Sequence, residues 1–194
     1  MANTRNITVI LNNIRSNENV GSIFRTCDAV GVSKIILVGY TPTPVDRFGR
    51  ENQGLTKASL GAEQFVKWEK AKDLKEAINN LQNYSSAHVS ECTDKILLNF
   101  SSCSLQSSSQ GIHKYMHSNN FEIIGIEQNK KAIDYRKLKI TKTKNIALVF
   151  GNEVEGLSKA DLKLCDVVAQ LPMLGRKESL NVAVCVGVVL YSLL

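Results

Sequence analysis

Apolar residues in this chain cluster into short unbroken runs separated by polar stretches. Ile7 to Leu11 is one such run, the signature of a strand covered on both faces. A polar, turn-rich stretch, Asn12 to Asn19, follows it. Val20, Ile23, Phe24, Cys27 and Val30 then recur at helical spacing, and Gly31 supplies a helix stop. Lys34 to Val38 predicts a second strand. A strand–helix–strand unit with a short return predicts a parallel pair.

The next stretch, TPTPVDRFGRENQG, carries Pro and Gly and reads as a long loop, functional or mobile. Lys72 to Gln82 predicts a helix with Leu74, Ile78 and Leu81 on one side. No period is legible from Asn83 to Gly111. Six of the nine residues from Ser101 to Ser109 are serine, which marks a low-complexity insertion near 83–111. Phe121 to Ile126 regains strand character, and Ile146 to Phe150 predicts a buried strand followed by GNEVEG. Ser158 and Asp161 have capping-box spacing ahead of a short helix. Val167 to Leu171 predicts another strand, then comes the loop PMLGRKESLN. The final helix, Val182 to Leu194, is apolar all round, so it belongs in the core or in a subunit interface. It is too short to span a bilayer. The sum is a single α/β domain over 1–194, a mostly parallel sheet flanked by helices.

Composition narrows the class. With 194 residues, 43% of them hydrophobic and 22% charged, the chain can bury a core without disulfide or metal staples. Its net charge of +6 is uneven: Lys130, Lys131, Arg136, Lys137, Lys139, Lys142 and Lys144 face Asp134 alone within one segment. Such a segment favours a polyanion, nucleic acid first, with a solvated face as the plainer alternative. The cysteines (Cys27, Cys92, Cys103, Cys165 and Cys185) are odd in number and form no CxxC pair. With no signal-peptide cleavage pattern at the N-terminus, they read as reduced thiols of a cytoplasmic protein. Cys27 and Cys185 sit in apolar stretches and read as core. His113 and His117 are four apart, but Lys114 stands where a zinc HExxH motif needs Glu, so no metal site is expected. Neither GxGxxG nor GxxxxGK[ST] follows any strand, which excludes the usual dinucleotide fingerprint and the P-loop.

Three polar motifs remain at strand–helix junctions. In NENVGSIFRT, Asn17 to Thr26, Asn19 is placed to cap the helix. Arg25 lies off the apolar stripe with a guanidinium suited to phosphate. Taken alone, a cap and a solvated arginine explain them. In VFGNEVEG, Val149 to Gly156, Gly151 permits a tight turn and close backbone approach, and Glu153 projects from the strand end. A surface loop with solvated carboxylates is the alternative. In LPMLGRKESLN, Leu171 to Asn181, residues Ser179 to Asn181 open the final helix, with Ser179 in an N-cap position. With no His nearby, Ser179 has no base to make it a nucleophile.

In order and spacing these motifs resemble those of the SpoU/TrmH family of RNA 2′-O-ribose methyltransferases, part of the SPOUT superfamily. The resemblance runs through NVGSIFRTCDAVGVSKIILVG, KASLGAEQFVKW, VFGNEVEGLS and LPMLGRKESLNVAVCVGVVLY and omits the Ser-rich middle. It implies a SPOUT fold with a deep C-terminal trefoil knot, S-adenosyl-L-methionine as cofactor, and a homodimer formed through the final helix. It also implies methylation of a ribose 2′-hydroxyl in RNA. The chain starts almost at its first strand and is expected to leave no room for an extra RNA-binding domain; a small, single-domain member suggests tRNA, with rRNA open. By motif, Gly151, Leu171, Met173, Ser179 and Leu180 would line the cofactor site. Arg25 matches the family's catalytic arginine. Asn19, Glu153, Ser179 and Asn181 match its other polar residues and would orient Arg25, the ribose and the cofactor. A guanidinium is a poor base, so Arg25 is expected to grip a phosphate while another group accepts the proton. Lys130 to Lys144 and the loop Asp46 to Lys57, with Arg47 and Arg50, are the expected RNA contacts. Two other classes compete. A non-catalytic RNA-binding protein that kept the fold is disfavoured by the intact polar set. A nucleotide-using enzyme such as an NAD dehydrogenase is disfavoured by the missing fingerprint.

Overall fold

The computed structural model of the chain describes residues 6–82, 121–138 and 145–194. The Ser-rich insertion near 83–111, the metal reading of His113 and His117, and Lys139, Lys142 and Lys144 of the basic segment lie outside them. In chain order the first half runs β1 (Ile7–Asn12), α1 (Asn17–Val30), β2 (Lys34–Val38), α2 (Gln53–Ser59), β3 (Trp68–Ala71) and a helix α3 over 74–82. The second half runs β4 (Phe121–Ile126), β5 (Ile133–Asp134), β6 (Asn145–Phe150), α4 (Lys159–Leu162), β7 (Val167–Gln170) and α5 (Val182–Tyr191). The seven strands of the described residues join one sheet in the order β3-β2-β1-β6-β4-β7-β5, and each of their pairings is parallel.

Strand pleating sorts the apolar runs into two cores. Val9, Leu11, Ile35, Leu37, Leu148 and Phe150 pack toward α1 and α5. Ile10, Ile36, Val38, Ala147 and Val149 pack on the other face, with Leu74, Ala77, Ile78 and Leu81 of α3. Helices over both faces are the reason the strand sequences read as unbroken apolar runs. Leu74, Ile78 and Leu81 share one buried side, as their spacing predicts.

Helix ends differ from expectation. α1 starts at Asn17, and its N-cap is Ser16, whose hydroxyl accepts a hydrogen bond from the Asn19 backbone N–H at 3.1 Å. Asn19 is therefore not the cap; it is the third residue of the first turn, with its side-chain amide turned to another partner. Gly31 does end α1, at φ 76°. The last helix is capped by Asn181 and not by Ser179: its Oδ1 accepts from the N–H of Ala183 and Val184 at 2.9 and 3.4 Å. It ends at Tyr191, three residues short of the expected end. The capping box of Ser158 and Asp161 is present. Cys27 is buried and Cys185 half-buried.

Three elements had no clear trace in the sequence. α2 falls within the stretch read as loop. It is capped by Asn52 and anchored by buried Leu55, too short to show a period. β3 and β5 are four and two residues long and occupy the two sheet edges, where alternation is weak. α2 packs so closely on α1 that a Cβ at Gly21 would lie 2.7 Å from the Ala58 Cβ.

Candidate active site

The sheet reverses its winding between β1 and β6. From β1 the chain moves outward to β2 and β3; from β6 it crosses to β7 on the opposite side. In open α/β sheets the crevice beyond the strand ends at such a point is where ligands bind. A cleft of about 350 Å³ opens there. Ile126, Phe150, Leu171 and Val182 supply apolar walls, while Glu127, Gln128, the 151–156 turn and Ser179 to Asn181 supply polar groups.

Glu153 organises the polar side. One carboxylate oxygen accepts hydrogen bonds from the Asn19 side-chain amide at 2.9 Å and the Ser16 N–H at 3.3 Å; the other accepts from the Arg15 N–H at 3.1 Å. Partial burial pushes its pKa up. The Asn19 amide and the main-chain N–H groups outweigh that, and the carboxyl is held below the usual glutamate value. Asn19 Oδ1 in turn accepts from Asn181 Nδ2 at 3.1 Å. Since Asn181 also caps α5, one relay ties the end of β6, the first turn of α1 and the start of α5. Asn19, Glu153 and Asn181, drawn from three separate motifs, thus meet in space.

Gly151, Leu171, Met173, Ser179 and Leu180 all border the cleft. Gly151 has no alternative residue: a Cβ there would lie 2.5 Å from the Gly156 carbonyl carbon and 2.6 Å from the Leu157 nitrogen. Glu127, at the end of β4, accepts from the Leu157 N–H at 2.7 Å and lies where a Gly156 Cβ would point. Gln128 Nε2 donates to the Leu171 carbonyl at 2.6 Å, fixing the segment after β7 against the one after β4. Glu127 and Gln128 were not singled out in the sequence, and no motif there marks them.

Arg25 lies apart. It is exposed on α1, outside the cleft lining, and has no hydrogen-bond or ion-pair partner among the described residues. Ser179 is exposed on the cleft rim. A second cation, Arg15, sits 6.0 Å from the Tyr40 ring centroid, and Tyr40 and its hydroxyl hold its pKa above the usual arginine value. The Tyr40 hydroxyl is hydrogen-bonded by the Asn152 side chain, whose Oδ1 accepts from Val154 and Glu155 and so shapes the turn. Asn152, within the VFGNEVEG motif, is 7% exposed, which explains why an asparagine stands at a strand end here. In the basic segment, Lys130, Lys131 and Lys137 are exposed, while Arg136 is tied to Asp134, whose carboxyl its hydrogen bonds pull down to about 2. The expected RNA-contact stretch Asp46 to Lys57 is a loop only to Asn52; the remainder is α2.

No described helix is long and apolar enough to cross a membrane, and no metal-holding cluster of His, Cys, Asp or Glu is found among the described residues. Residues 6–104 and 102–191 match the SpoU rRNA Methylase family. A Staphylococcus aureus protein assigned to the TrmH family of tRNA/rRNA methyltransferases is 28% identical over 183 residues, covering 94% of this chain and 56% of that protein. A tRNA (guanosine(18)-2′-O)-methyltransferase of Aquifex aeolicus is 27% identical over 187 residues, covering 96% of this chain and 68% of its own. Among solved structures, the SpoU methyltransferase AviRb of Streptomyces viridochromogenes superposes with a TM-score of 0.71 at 21% identity, covering 96% of this chain and 58% of AviRb. AviRb has also been solved in complex with the cofactor AdoMet. This chain spans little more than half the length of the S. aureus relative and of AviRb. With the family match extending over nearly all of it, the chain belongs to the SpoU rRNA methylase family.

Proposed function

We propose that the protein transfers a methyl group from S-adenosylmethionine to a ribose 2′-hydroxyl of RNA, tRNA ahead of rRNA, as a cytoplasmic homodimer. The relay Glu153–Asn19–Asn181 beside the cleft carries this reading. A non-catalytic fold has no need of three motif residues converging on one another at a strand-end crevice. The names of the A. aeolicus and S. aureus relatives support the substrate class.

The cleft fits the cofactor. Its volume lies in the range of small-molecule sites, and it pairs apolar walls with strand-end backbone. Gly151, Leu171, Met173, Ser179 and Leu180 would hold it. When bound, S-adenosylmethionine would supply an electrophilic sulfonium methyl to the ribose 2′-hydroxyl oxygen, whose proton must go elsewhere. Glu153, which accepts three N–H hydrogen bonds and whose carboxyl is held below the usual glutamate value, acts as a positioning residue and not as the base. It fixes Asn19 and, through Asn181, the start of α5. Arg25 grips the phosphate next to the target ribose, and a phosphate oxygen or another group takes the proton.

We infer the knot and the dimer from related features. β7 is hydrogen-bonded between β4 and β5, both earlier than β6 in the chain, and Gln128 clasps Leu171 as the chain turns back toward α5. This placement supports a threaded C-terminal segment. Val184, Val188 and Tyr191 leave an apolar face of α5 open, which supports a second copy seated there. The stretch near 83–111 we take as an insertion in a single domain.

The reading is tested with Arg25→Ala. Tritiated-methyl transfer to RNA from cells lacking the protein should vanish, while isothermal titration shows unchanged S-adenosylmethionine affinity. Near-normal turnover would refute the role of Arg25. Absence of any binding heat in the wild type would favour the non-catalytic alternative.

A further inference from the structure

The loop joining β2 to α2 carries a feature that the cleft does not use. Phe48 stands at its tip with 67% of its surface exposed. The Arg47 and Arg50 guanidiniums lie 4.7 and 5.1 Å from its ring centroid. The tip is built. One Asp46 carboxylate oxygen accepts from the N–H of Phe48 and of Arg50 at 2.8 and 2.9 Å, and the other accepts from Arg50 Nε at 2.8 Å. Gly49, at φ 78°, closes the turn. Val45 and Glu51 bridge its stem.

Both feet of the loop are fixed near the cleft edge. Buried Thr41 donates to the Leu11 and Val38 carbonyls and accepts from the Ile14 N–H at 3.0 Å. Asn52 donates to Asn17, in the first turn of α1, at 2.9 Å. The loop therefore rises from the same strand-end edge as the Glu153 relay.

An exposed aromatic flanked by two cations matches the chemistry of an unpaired nucleotide. Unpaired nucleobases stack on aromatic rings and on guanidinium planes, while the cations meet the flanking phosphates. Phe48 keeps 67% of its surface exposed with both guanidiniums in place, and an exposed arginine plane offers a base the same kind of stacking surface as the ring. We propose that Phe48, between Arg47 and Arg50, is a stacking platform for an unpaired RNA base near the methylated nucleotide. This rests on the methyltransferase reading only for the identity of that nucleotide. The platform itself is tested without catalysis.

The probes are fluorescein-labelled oligouridylate and an abasic ribose–phosphate chain of equal length, followed by anisotropy. Wild-type protein should bind the base-bearing chain about tenfold more tightly. Phe48→Ala should erase that preference without weakening binding to the abasic chain, and Phe48→Trp should keep it. Arg47→Ala or Arg50→Ala should weaken both probes and reduce the salt dependence by about one ion each. A melting curve checks that each variant is folded. A wild-type protein indifferent to the bases, or a Phe48→Ala variant that still prefers them, overturns the proposal, and the surface then suits a protein partner. S-adenosylmethionine titration of the same preparations separates the two readings: loss of cofactor binding would sink the enzyme and leave the Phe48 result standing.

Discussion

Three N–H donors converge on the Glu153 carboxylate, and their consequence is a pH signature. A carboxyl whose folded pKa is lowered stabilises the fold above its unfolded value, and that stability is lost as pH falls through the folded value. Wild-type protein should therefore lose urea resistance on acidification below about pH 4.5, the usual range for glutamate. Glu153→Gln should flatten that acid limb and cut turnover with little change in cofactor affinity. An acid limb as steep as wild type would show that the carboxylate contributes nothing to folding. Residue types were legible at this scale, since Asn19, Glu153 and Asn181 stand out as polar groups at strand–helix junctions. Their partners were less so. Ser16 and Asn19 are both good caps, and only the place where β1 ends decides between them. Ser179 and Asn181 posed the same ambiguity, decided by where α5 begins.

Elements meet at Asn181, which serves two of them with different atoms. Its oxygen caps α5, and its nitrogen donates to Asn19. Asn181→Ala should cost about 1 kcal/mol through the lost cap. Asn181→Asp keeps an acceptor at a helix N-terminus, where negative charge is favourable, but removes the donor to Asn19. Its melting temperature should stay near wild type while methyl transfer falls; parallel loss of both would assign Asn181 to stability alone. The turn after β6 is equally constrained. Gly151→Ala forces a methyl group against the Gly156–Leu157 backbone and should destabilise by about 1–3 kcal/mol, measured by urea unfolding. Longer elements were predictable because burial on both faces leaves apolar runs. The short ones, α2, β3 and β5, take their form from neighbours: α2 from Gly21 of α1, the edge strands from the strand each joins.

For the whole molecule, the parallel sheet with helices on both faces follows from its sequence pattern, whereas the strand order does not. Nothing local in β4 or β7 states that they lie side by side. The apolar character of α5 was visible, but only the structure divides it. Val182, Val186, Val189 and Leu190 are buried, while Val184, Val188 and Tyr191 look outward. If that outer face seats a second copy, Val184→Glu should halve the mass seen by sedimentation velocity while circular dichroism stays unchanged. A dimer that survives the substitution places its interface elsewhere. The contact between Glu127 and Gly156 has a further consequence, for heredity. A Cβ at 156 would meet the Glu127 carboxylate, and that side chain can give way only by releasing the Leu157 N–H it accepts from. An inherited change at 156 therefore carries two costs, the lost hydrogen bond and a side chain on the left-handed backbone that Gly156 adopts at φ 66°.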